Sequence, residues 1–319
     1  MALRKGLPMW LVVTLFLLLA ALLAIAMISE MSDVRSKMSA EHTAAHRAHH
    51  APAHTVARPE TTPPLVDEPV QAPEPEISDA GKAAGIALIL DDAGYDLPEL
   101  QRMLKLGVPV AIAVIPDAPY ARQAAVMAHQ AGHVVMLHLP MQPVSEKYSS
   151  RMSDAFLTDQ MNEMQLRRTF INDLALVPYV EGVNNHMGSA LTQLEKPMHW
   201  VMQVCLEKGL FFVDSVTSGK SVAGRVATEM GLERGRRQFF LDNNLDTPAL
   251  KAMWEKVRIC ARKGHRCVVI GHPHRQTVTF LENNISADDR AMMVPLKRLL
   301  HPASLLARQE MNRMTVARP

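Results

Sequence analysis

IALILDDAG, at residues 86–94, joins a run of five apolar residues to two adjacent carboxylates and a glycine. A glycine also precedes the run, and short apolar runs bounded in this way are typical of a β-strand buried on both faces. Asp91 and Asp92 stand where this strand ends. Neighbouring carboxylates repel each other and are costly to bury alone, so a metal ion would make both tolerable. The alternative is that Asp91 caps the next helix and Asp92 is a solvated loop residue.

Short apolar runs recur along the chain after this strand, and segments with helical periodicity separate them. The intervals are mostly about 25 to 30 residues, which is the length of a β-strand followed by an α-helix. Seven strands alternating with helices predict an α/β fold with a parallel sheet, either a barrel or a doubly wound sheet. The predicted strands are residues 86–90, 110–115, 134–138, 179–183, 211–214, 238–241 and 267–270, and the predicted helices are 98–106, 118–130, 160–176, 196–208, 223–230 and 248–263.

The carboxyl ends of the strands, here called the rim, carry the active site in both kinds of fold. Each of the seven predicted strands ends in, or is followed by, a group that can form hydrogen bonds or bind a metal. A single histidine at a strand end is more often a hydrogen-bonded core residue, whereas three with several aspartates favour a metal site. The groups are Asp91, Asp92, Asp117, His138, Asn184, Asn185, His186, Asp214, Asp242, Asn243, Asn244, His272 and His274.

Asp92, His138 and His186 are the residues that we assign as metal ligands. One carboxylate and two imidazoles, with positions left open for water, are expected of a catalytic Zn²⁺ or a similar divalent ion. Such an ion would lower the pKa of bound water and polarise a substrate carbonyl. The sequence therefore predicts a divalent metal cofactor, with Zn as the preferred ion.

Three further rim residues are assigned to proton transfer. Asp91, beside a ligand, is placed to take a proton from the attacking water, and His272 to protonate the leaving group. Asp214 is available to orient and charge His272, although capping of the turn that follows it is an equal alternative. His274 is the weaker candidate for the acid because it lies further from the strand end.

The N-terminal part of the chain has a different character. Residues 7–28 are almost wholly apolar and carry no charge, and about 20 such residues span a bilayer as a helix. Arg4 and Lys5 precede them, and Glu30 and Asp33 follow. The positive-inside rule then predicts a single-pass anchor with the N-terminus in the cytoplasm and the rest of the chain outside it. We interpret this arrangement as an inner-membrane anchor with the folded domain in the periplasm. A cleaved signal peptide is the competing interpretation, and both export the chain.

Proline, alanine, glutamate and threonine dominate the segment that follows, so it offers no apolar stripe from which to build a core. Its cluster of five histidines is interpreted as part of a solvated, low-complexity linker rather than as a metal site. The predicted organisation is a cytoplasmic N-terminus at residues 1–6, a transmembrane anchor at 7–29, a disordered linker at 30–81, a folded domain at 82–302 and a C-terminal tail at 303–319.

Charge and cysteine content narrow the classes of function. A formal net charge of +2 gives no indication of a nucleic-acid partner. Cys205, Cys260 and Cys267 are too few for a disulfide framework, although the last two could pair in an oxidising compartment. No Gly-x-Ser-x-Gly motif follows a predicted strand, which argues against a hydrolase of the Ser-His-Asp type.

Five motifs in order, within about residues 83–281, resemble the divergent polysaccharide deacetylase family, a branch of the metal-dependent carbohydrate deacetylases. The motifs are LILDDAG, GHVVMLHLPMQP, VNNHMGS, FFVDS and VIGHP. The resemblance implies a distorted (β/α)7 barrel and hydrolysis of an N-acetyl group on a glycan. It also places the base and a metal ligand at Asp91 and Asp92, a further ligand at His138 and the histidine of the last motif at His272.

Two positions depart from the pattern of the wider superfamily. Gln142 stands where the second motif has its second histidine, and residues 184–189 replace an Arg-Pro-Pro-Tyr stretch, so His186 is expected to supply the missing ligand. The leading hypothesis is a metal-dependent hydrolase that removes N-acetyl groups from an envelope polysaccharide. The alternative is a catalytically silent, periplasm-facing envelope protein that binds a glycan or a partner.

Overall fold

The computed structural model describes residues 83–149 and 152–304. The predicted anchor at residues 7–29, the linker at 30–81 and the tail beyond residue 304 lie outside the described residues. Within the described ranges, no helix is both long enough and apolar enough to cross a membrane.

Parallel strands surrounded by helices make up the described domain, as the sequence predicted. The strands are β1 (Gly85–Ala93), β2 (Val110–Val114), β3 (Val134–Met141), β4 (Val180–Met187), β5 (Phe211–Asp214), β6 (Arg234–Arg236), β7 (Phe239–Phe240) and β8 (Arg266–Gly271). The helices are α1 (Leu97–Leu104), α2 (Ala121–Gln130), α3 (Glu146–Ser149), α4 (Glu163–Leu176), α5 (Glu195–Lys208), α6 (Ala223–Glu229), α7 (Thr247–Arg262), α8 (Arg275–Asn284) and α9 (Ala287–Met292), with short 3₁₀ turns at Leu191–Gln193 and Leu296–Leu299.

The strands form one sheet in the order β6-β5-β4-β3-β2-β1-β8-β7, and each pair of neighbours is parallel. All seven predicted strands and all six predicted helices have counterparts, but the described part of the sheet has eight strands instead of seven. The missed strand is β6, whose sequence Arg-Gly-Arg has neither the apolar run nor the alternation that indicates a strand.

The two edge strands, β6 and β7, follow each other directly in the chain. Only Arg237 and Gln238 separate them, and we call residues 234–240 the closing stretch. The Arg237 N–H donates to the carbonyl of Asp214 at the end of β5, over 2.9 Å, and the Gln238 N–H donates to the carbonyl of Val268 in β8, also over 2.9 Å. One short stretch therefore pairs with both sides of the sheet, which curls the sheet so that its two edges meet there.

Side chains of β1 alternate between two hydrophobic clusters, as expected for a strand buried on both faces. Ile86, Leu88 and Leu90 belong to the larger cluster, which includes the buried faces of the helices. Ala87 and Ile89 belong to a smaller one formed largely by strand residues. The chain after α9 contributes Val294, Leu296, Leu299 and Leu300 to the smaller cluster.

Cys260 and Cys267 form a disulfide that joins α7 to the beginning of β8, a pairing that the sequence left open. The third cysteine, Cys205, is buried and free. The disulfide therefore ties a helix to the strand that leads to His272.

Candidate metal centre

Asp91 and Asp92 lie near the end of β1, and neither caps the helix that follows. The N-cap of α1 is Asp96, whose carboxylate accepts the backbone N–H of Glu99 at 3.0 Å. Asp91 is buried, and Asp92 has a left-handed backbone with φ of 54°. These positions rule out the interpretation of Asp91 as a helix cap.

Three potential ligand atoms converge at the rim, one from each of Asp92, His138 and His186. Asp92 Oδ1 lies 3.2 Å from His138 Nε2 and 2.9 Å from His186 Nδ1. All three atoms are within 4.8 Å of one another. Although Asp92 Oδ1 is inaccessible to solvent, no group in the described part of the chain gives it a well-directed hydrogen bond. A shielded, unpartnered carboxylate oxygen beside two imidazoles fits a divalent cation of the zinc type.

Asn184 orients one of these imidazoles. Its Oδ1 lies 2.9 Å from His138 Nδ1, which leaves Nε2 of that ring facing Asp92. Hydrogen bonds of this kind fix the ring and tautomer of metal-binding histidines. The Asn184 Nδ2 group donates to Asp91 Oδ1 at 2.8 Å, so one buried amide connects a ligand to the predicted base. The sequence analysis placed Asn184 among the polar groups of the rim, and the structure gives it this linking position.

The two adjacent aspartates differ in acidity because their surroundings differ. Burial raises the pKa of Asp91, and the nearby imidazoles of His138 and His272 offset this only in part. Burial also disfavours the charge of Asp92, but His186 and His138 outweigh it and hold the pKa of Asp92 well below its usual value. One carboxylate is therefore suited to ligation and the other to accepting a proton.

His272 follows β8 and pairs with Asp242. Its Nδ1 lies 3.0 Å from Asp242 Oδ1, while the His272 backbone N–H and the Thr277 hydroxyl donate to Asp242 Oδ2 at 2.7 and 2.8 Å. Burial lowers the pKa of His272, but the attraction of Asp242 overcomes this and raises it to about 10. The ring is therefore an imidazolium at neutral pH, and its Nε2 lies 4.0 Å from Asp92 Oδ2.

Asp214 does not have the position that the sequence suggested. Its Oδ1 accepts the Val216 N–H and its Oδ2 accepts the Ser221 hydroxyl, both at 2.8 Å, so it stabilises the turn after β5. The carboxylate that orients and charges His272 is that of Asp242. The reason is strand order, because β7 lies next to β8 whereas β5 lies between β4 and β6. Both aspartates lie at the carboxyl ends of predicted strands, and no signal in the sequence distinguishes them.

Three non-glycine residues at the rim have left-handed backbone conformations. The φ angles are 54° at Asp92, 52° at Met187 and 51° at Val216. Each such residue costs on the order of 1–3 kcal/mol, and such strain is concentrated at functional sites. The Asn185 side-chain amide and the Thr217 hydroxyl both donate to the carbonyl of Met187 at 2.8 Å, which holds the backbone directly after His186.

Gln142, which the resemblance aligns with a histidine of the wider superfamily, stabilises a loop. Its Oε1 accepts the N–H of Asp159 at 2.7 Å.

A second set of candidate ligand atoms comes from Asp242, His272 and His274. Both oxygens of Asp242 already accept hydrogen bonds, so this second set fits a cation less well than the first.

The roles of Asp242 and Asp214 can be separated by titration. Asp242→Asn is expected to lower the pKa of His272 from about 10 toward the unperturbed value of about 6.5, because the carboxylate that stabilises the imidazolium is removed. NMR titration of the His272 ring measures this. Asp214→Asn is the matched control and should leave the His272 pKa unchanged. The assignment would be contradicted if Asp214→Asn changed the His272 pKa strongly while Asp242→Asn left it unchanged.

The parallel α/β sheet and the Asp-His-His group at its rim agree with the resemblance of the sequence to the polysaccharide deacetylases. Residues 88–300 match the family described as divergent polysaccharide deacetylase, and the chain belongs to that family.

Two curated relatives align with the chain. YibQ of Escherichia coli strain K12, named as uncharacterized, is 34% identical over 203 residues, which are 64% of this chain and 63% of that protein. An uncharacterized protein of Haemophilus influenzae is 36% identical over 197 residues, which are 62% of this chain and 69% of the other. The chain thus spans less than two thirds of YibQ.

The crystal structure of the uncharacterized protein ATU2773 from Agrobacterium tumefaciens C58 has a similar fold, with a TM-score of 0.63. The two sequences are 16% identical, and the match covers 70% of this chain and 92% of that one.

Proposed function

We propose that this protein is a metal-dependent hydrolase that removes N-acetyl groups from an envelope polysaccharide. The observation that carries the proposal is the shielded, unpartnered Asp92 Oδ1 between two imidazole nitrogens. Asp91, with a raised pKa, and the protonated ring of His272 lie beside this group. Amide hydrolysis needs a polarised carbonyl, a base for water and an acid for the leaving amine. Membership of the family supports a polysaccharide substrate.

Asp92, His138 and His186 would hold a divalent cation, for which Zn²⁺ suits the donor set, and the cation would act as a Lewis acid toward the acetyl carbonyl. Asp91 accepts the proton of the attacking water, and its raised pKa makes it a stronger base than an ordinary aspartate.

His272 carries the proton that the departing amine needs. Asp242 keeps the ring of His272 charged and oriented through its Nδ1 contact, so that Nε2 is the atom that delivers the proton. Asn184 keeps Asp91 at a fixed distance from the ligand His138 through its two side-chain contacts.

We also propose that the domain works outside the cytoplasm, held to the inner membrane by residues 7–29 and facing the periplasm. The Cys260–Cys267 disulfide supports this location, because such bonds persist in oxidising compartments. The uncharged apolar run at residues 7–28, with basic residues before it, supports the anchor. An envelope polysaccharide is accessible from that side of the membrane.

Metal content tests the centre directly. The full-length protein, purified in a mild detergent, is expected to hold about one equivalent of a divalent transition metal per chain, measured by inductively coupled plasma mass spectrometry. Asp92→Ala and His138→Ala should each lose it, because each removes a ligand. His274→Ala is the matched control and should retain it. Stoichiometric metal in both ligand variants would disprove the assignment.

Acetate release from acetylated chitooligosaccharides and peptidoglycan fragments tests the reaction. We expect turnover by the metal-loaded protein. The absence of turnover in a folded, metal-loaded protein would favour the alternative, an envelope protein that binds a glycan or a partner without hydrolysing it. Two observations support that alternative: Gln142 stands where the wider superfamily has its second histidine, and residues 184–189 replace the Arg-Pro-Pro-Tyr stretch.

A further inference from the structure

Arg237 lies in the closing stretch, between β6 and β7, and belongs to none of the motifs singled out in the sequence. Its Nε donates to the carbonyl of Ser215 at 2.6 Å, and its Nη2 donates to the carbonyl of Val216 at 2.8 Å. Val216 is β-branched and has a φ of 51°, a conformation that such residues rarely adopt. The guanidinium therefore holds a strained turn at the end of β5 through two consecutive carbonyls.

The turn that Arg237 holds contacts the residues that orient the ligand and the base. The Ser215 N–H donates to Asn185 Oδ1 at 2.9 Å, and the Ser215 hydroxyl lies 3.3 Å from Asn184 Nδ2. The same Asn184 amide donates to Asp91. A shift of the turn would consequently displace the amide that fixes the base.

Arg237 also contacts Phe240, whose ring neighbours His272, the residue proposed as the acid. Its guanidinium lies over the ring of Phe240, 4.9 Å from the centroid, and the Phe240 ring centroid lies 5.1 Å from that of His272. A cation held over an aromatic face is attracted to it. Burial lowers the pKa of Arg237 to about 10, against the attraction of Asp214 and Asp91, so the side chain remains a cation at neutral pH.

We infer that Arg237 is a positioning residue that fixes the base side of the centre relative to the acid side. Two of its N–H donors bond the turn next to Asn184, while the guanidinium lies over the aromatic ring next to His272. Lysine has one compact ammonium group and cannot make both carbonyl bonds and the stacking contact in this geometry. The geometric part of this role is the arrangement of the side chains around the centre, and it does not depend on the proposed function. The catalytic part is the effect of that arrangement on the reaction rate, and it rests on the proposed function.

Cobalt substitution tests the geometric part, because the visible absorption of Co²⁺ depends on the arrangement of its ligands. In the full-length protein, Arg237→Lys and Arg237→Gln are each expected to change the Co²⁺ spectrum and to weaken Co²⁺ binding by about tenfold or more, as loss of groups that support metal ligands does. Arg225→Gln is the matched control, since Arg225 is an exposed arginine paired with Glu195 and Glu229. It should behave as wild type.

A lower melting temperature with an unchanged spectrum and affinity in both Arg237 variants would overturn the inference, because Arg237 would then only stabilise the fold. If Arg237→Gln does not fold, the Co²⁺ spectrum and affinity of Arg237→Lys decide, because lysine keeps the charge and approximate length of the side chain. If the wild type binds no cobalt, the proposed centre fails. The NMR resonances of the His138 and His272 rings then decide, and unchanged resonances in Arg237→Lys would overturn the inference.

Kinetics test the catalytic part. With a substrate that the wild type hydrolyses, both variants are expected to lose about a hundredfold in kcat with little change in KM, because Arg237 supports the acid and base without contacting substrate. A raised KM with unchanged kcat would contradict positioning. Absence of turnover in the wild type would count against the proposed function, while the cobalt result would still decide the geometric role.

Discussion

Asp91→Asn is expected to lower kcat by about a thousandfold while the protein keeps its metal, since a positioned general base contributes on the order of 10²–10⁴ to the rate. In the wild type, Asn184 Nδ2 donates to Asp91 Oδ1 at 2.8 Å. Asparagine preserves the shape of the Asp91 side chain and keeps an oxygen that can accept this hydrogen bond. Only the ability to take a proton is removed. Acetate release and metal analysis of the same sample measure the two quantities together.

Asp92→Asn is the matched control for this substitution, because it makes the same chemical change one residue further along β1. It should lose metal and activity together, since Asp92 Oδ1 is the atom that faces both imidazoles. Retention of wild-type kcat by Asp91→Asn would show that another group accepts the proton. Loss of metal from Asp91→Asn would show that Asp91 supports the ligands and would leave the base unassigned.

The free energy of unfolding of the wild type is expected to fall as the pH rises from about 5 to 8. The Asp173→Asn substitution is expected to remove a large part of this pH dependence. Asp173 lies in α4, is buried, and has one oxygen with no hydrogen-bond partner in the described ranges. Burial, with a smaller contribution from Asp117, raises its pKa to about 8. The side chain is therefore a neutral acid in the folded protein below that pH.

The sign of the effect follows from proton binding. The pKa of Asp173 is higher in the folded state than its unperturbed value of 3.8, so the folded state binds the extra proton between these values. The free energy of unfolding therefore falls as the pH rises, by about 1.4 kcal/mol per pH unit, or about 4 kcal/mol from pH 5 to 8. Asparagine carries no titrating group, and this contribution disappears.

Urea unfolding at pH 5 and pH 8 measures the effect as the difference between the two free energies of unfolding. Asp154→Asn is a suitable control, because it removes an exposed carboxylate, and it should keep the wild-type pH dependence. An Asp173→Asn protein with the same pH dependence as wild type would show that Asp173 is already ionised in the fold.

The rim could be predicted from the sequence because strand ends are local features. Apolar runs located the strands that carry Asp92, His138 and His186, and parallel strands bring their carboxyl ends to one side of a sheet. The structure brings these three residues together, although they are far apart in the sequence. Strand order was not predictable in the same way, so the sequence analysis assigned Asp214 to orient His272, whereas the structure pairs His272 with Asp242.

Asn184 and Arg237 illustrate a second limit of prediction from sequence. Asparagines near the end of a strand are common in turns, and only the fold shows that the Asn184 amide lies between His138 and Asp91. Arg237 acts from between two very short strands that carry little apolar signal. Its contacts with the Ser215–Val216 turn depend on β6 pairing with β5, which is a non-local event.

The closing stretch also bears on how the protein behaves among copies of itself. Sheet edges with unpaired backbone groups invite strands of other molecules and so promote aggregation. Here the two edges are consecutive pieces of one stretch, and Arg234 exchanges backbone hydrogen bonds with His301 in an antiparallel bridge. Edge strands of three and two residues, one of them bridged to His301, give neighbouring molecules little template for strand addition to this domain.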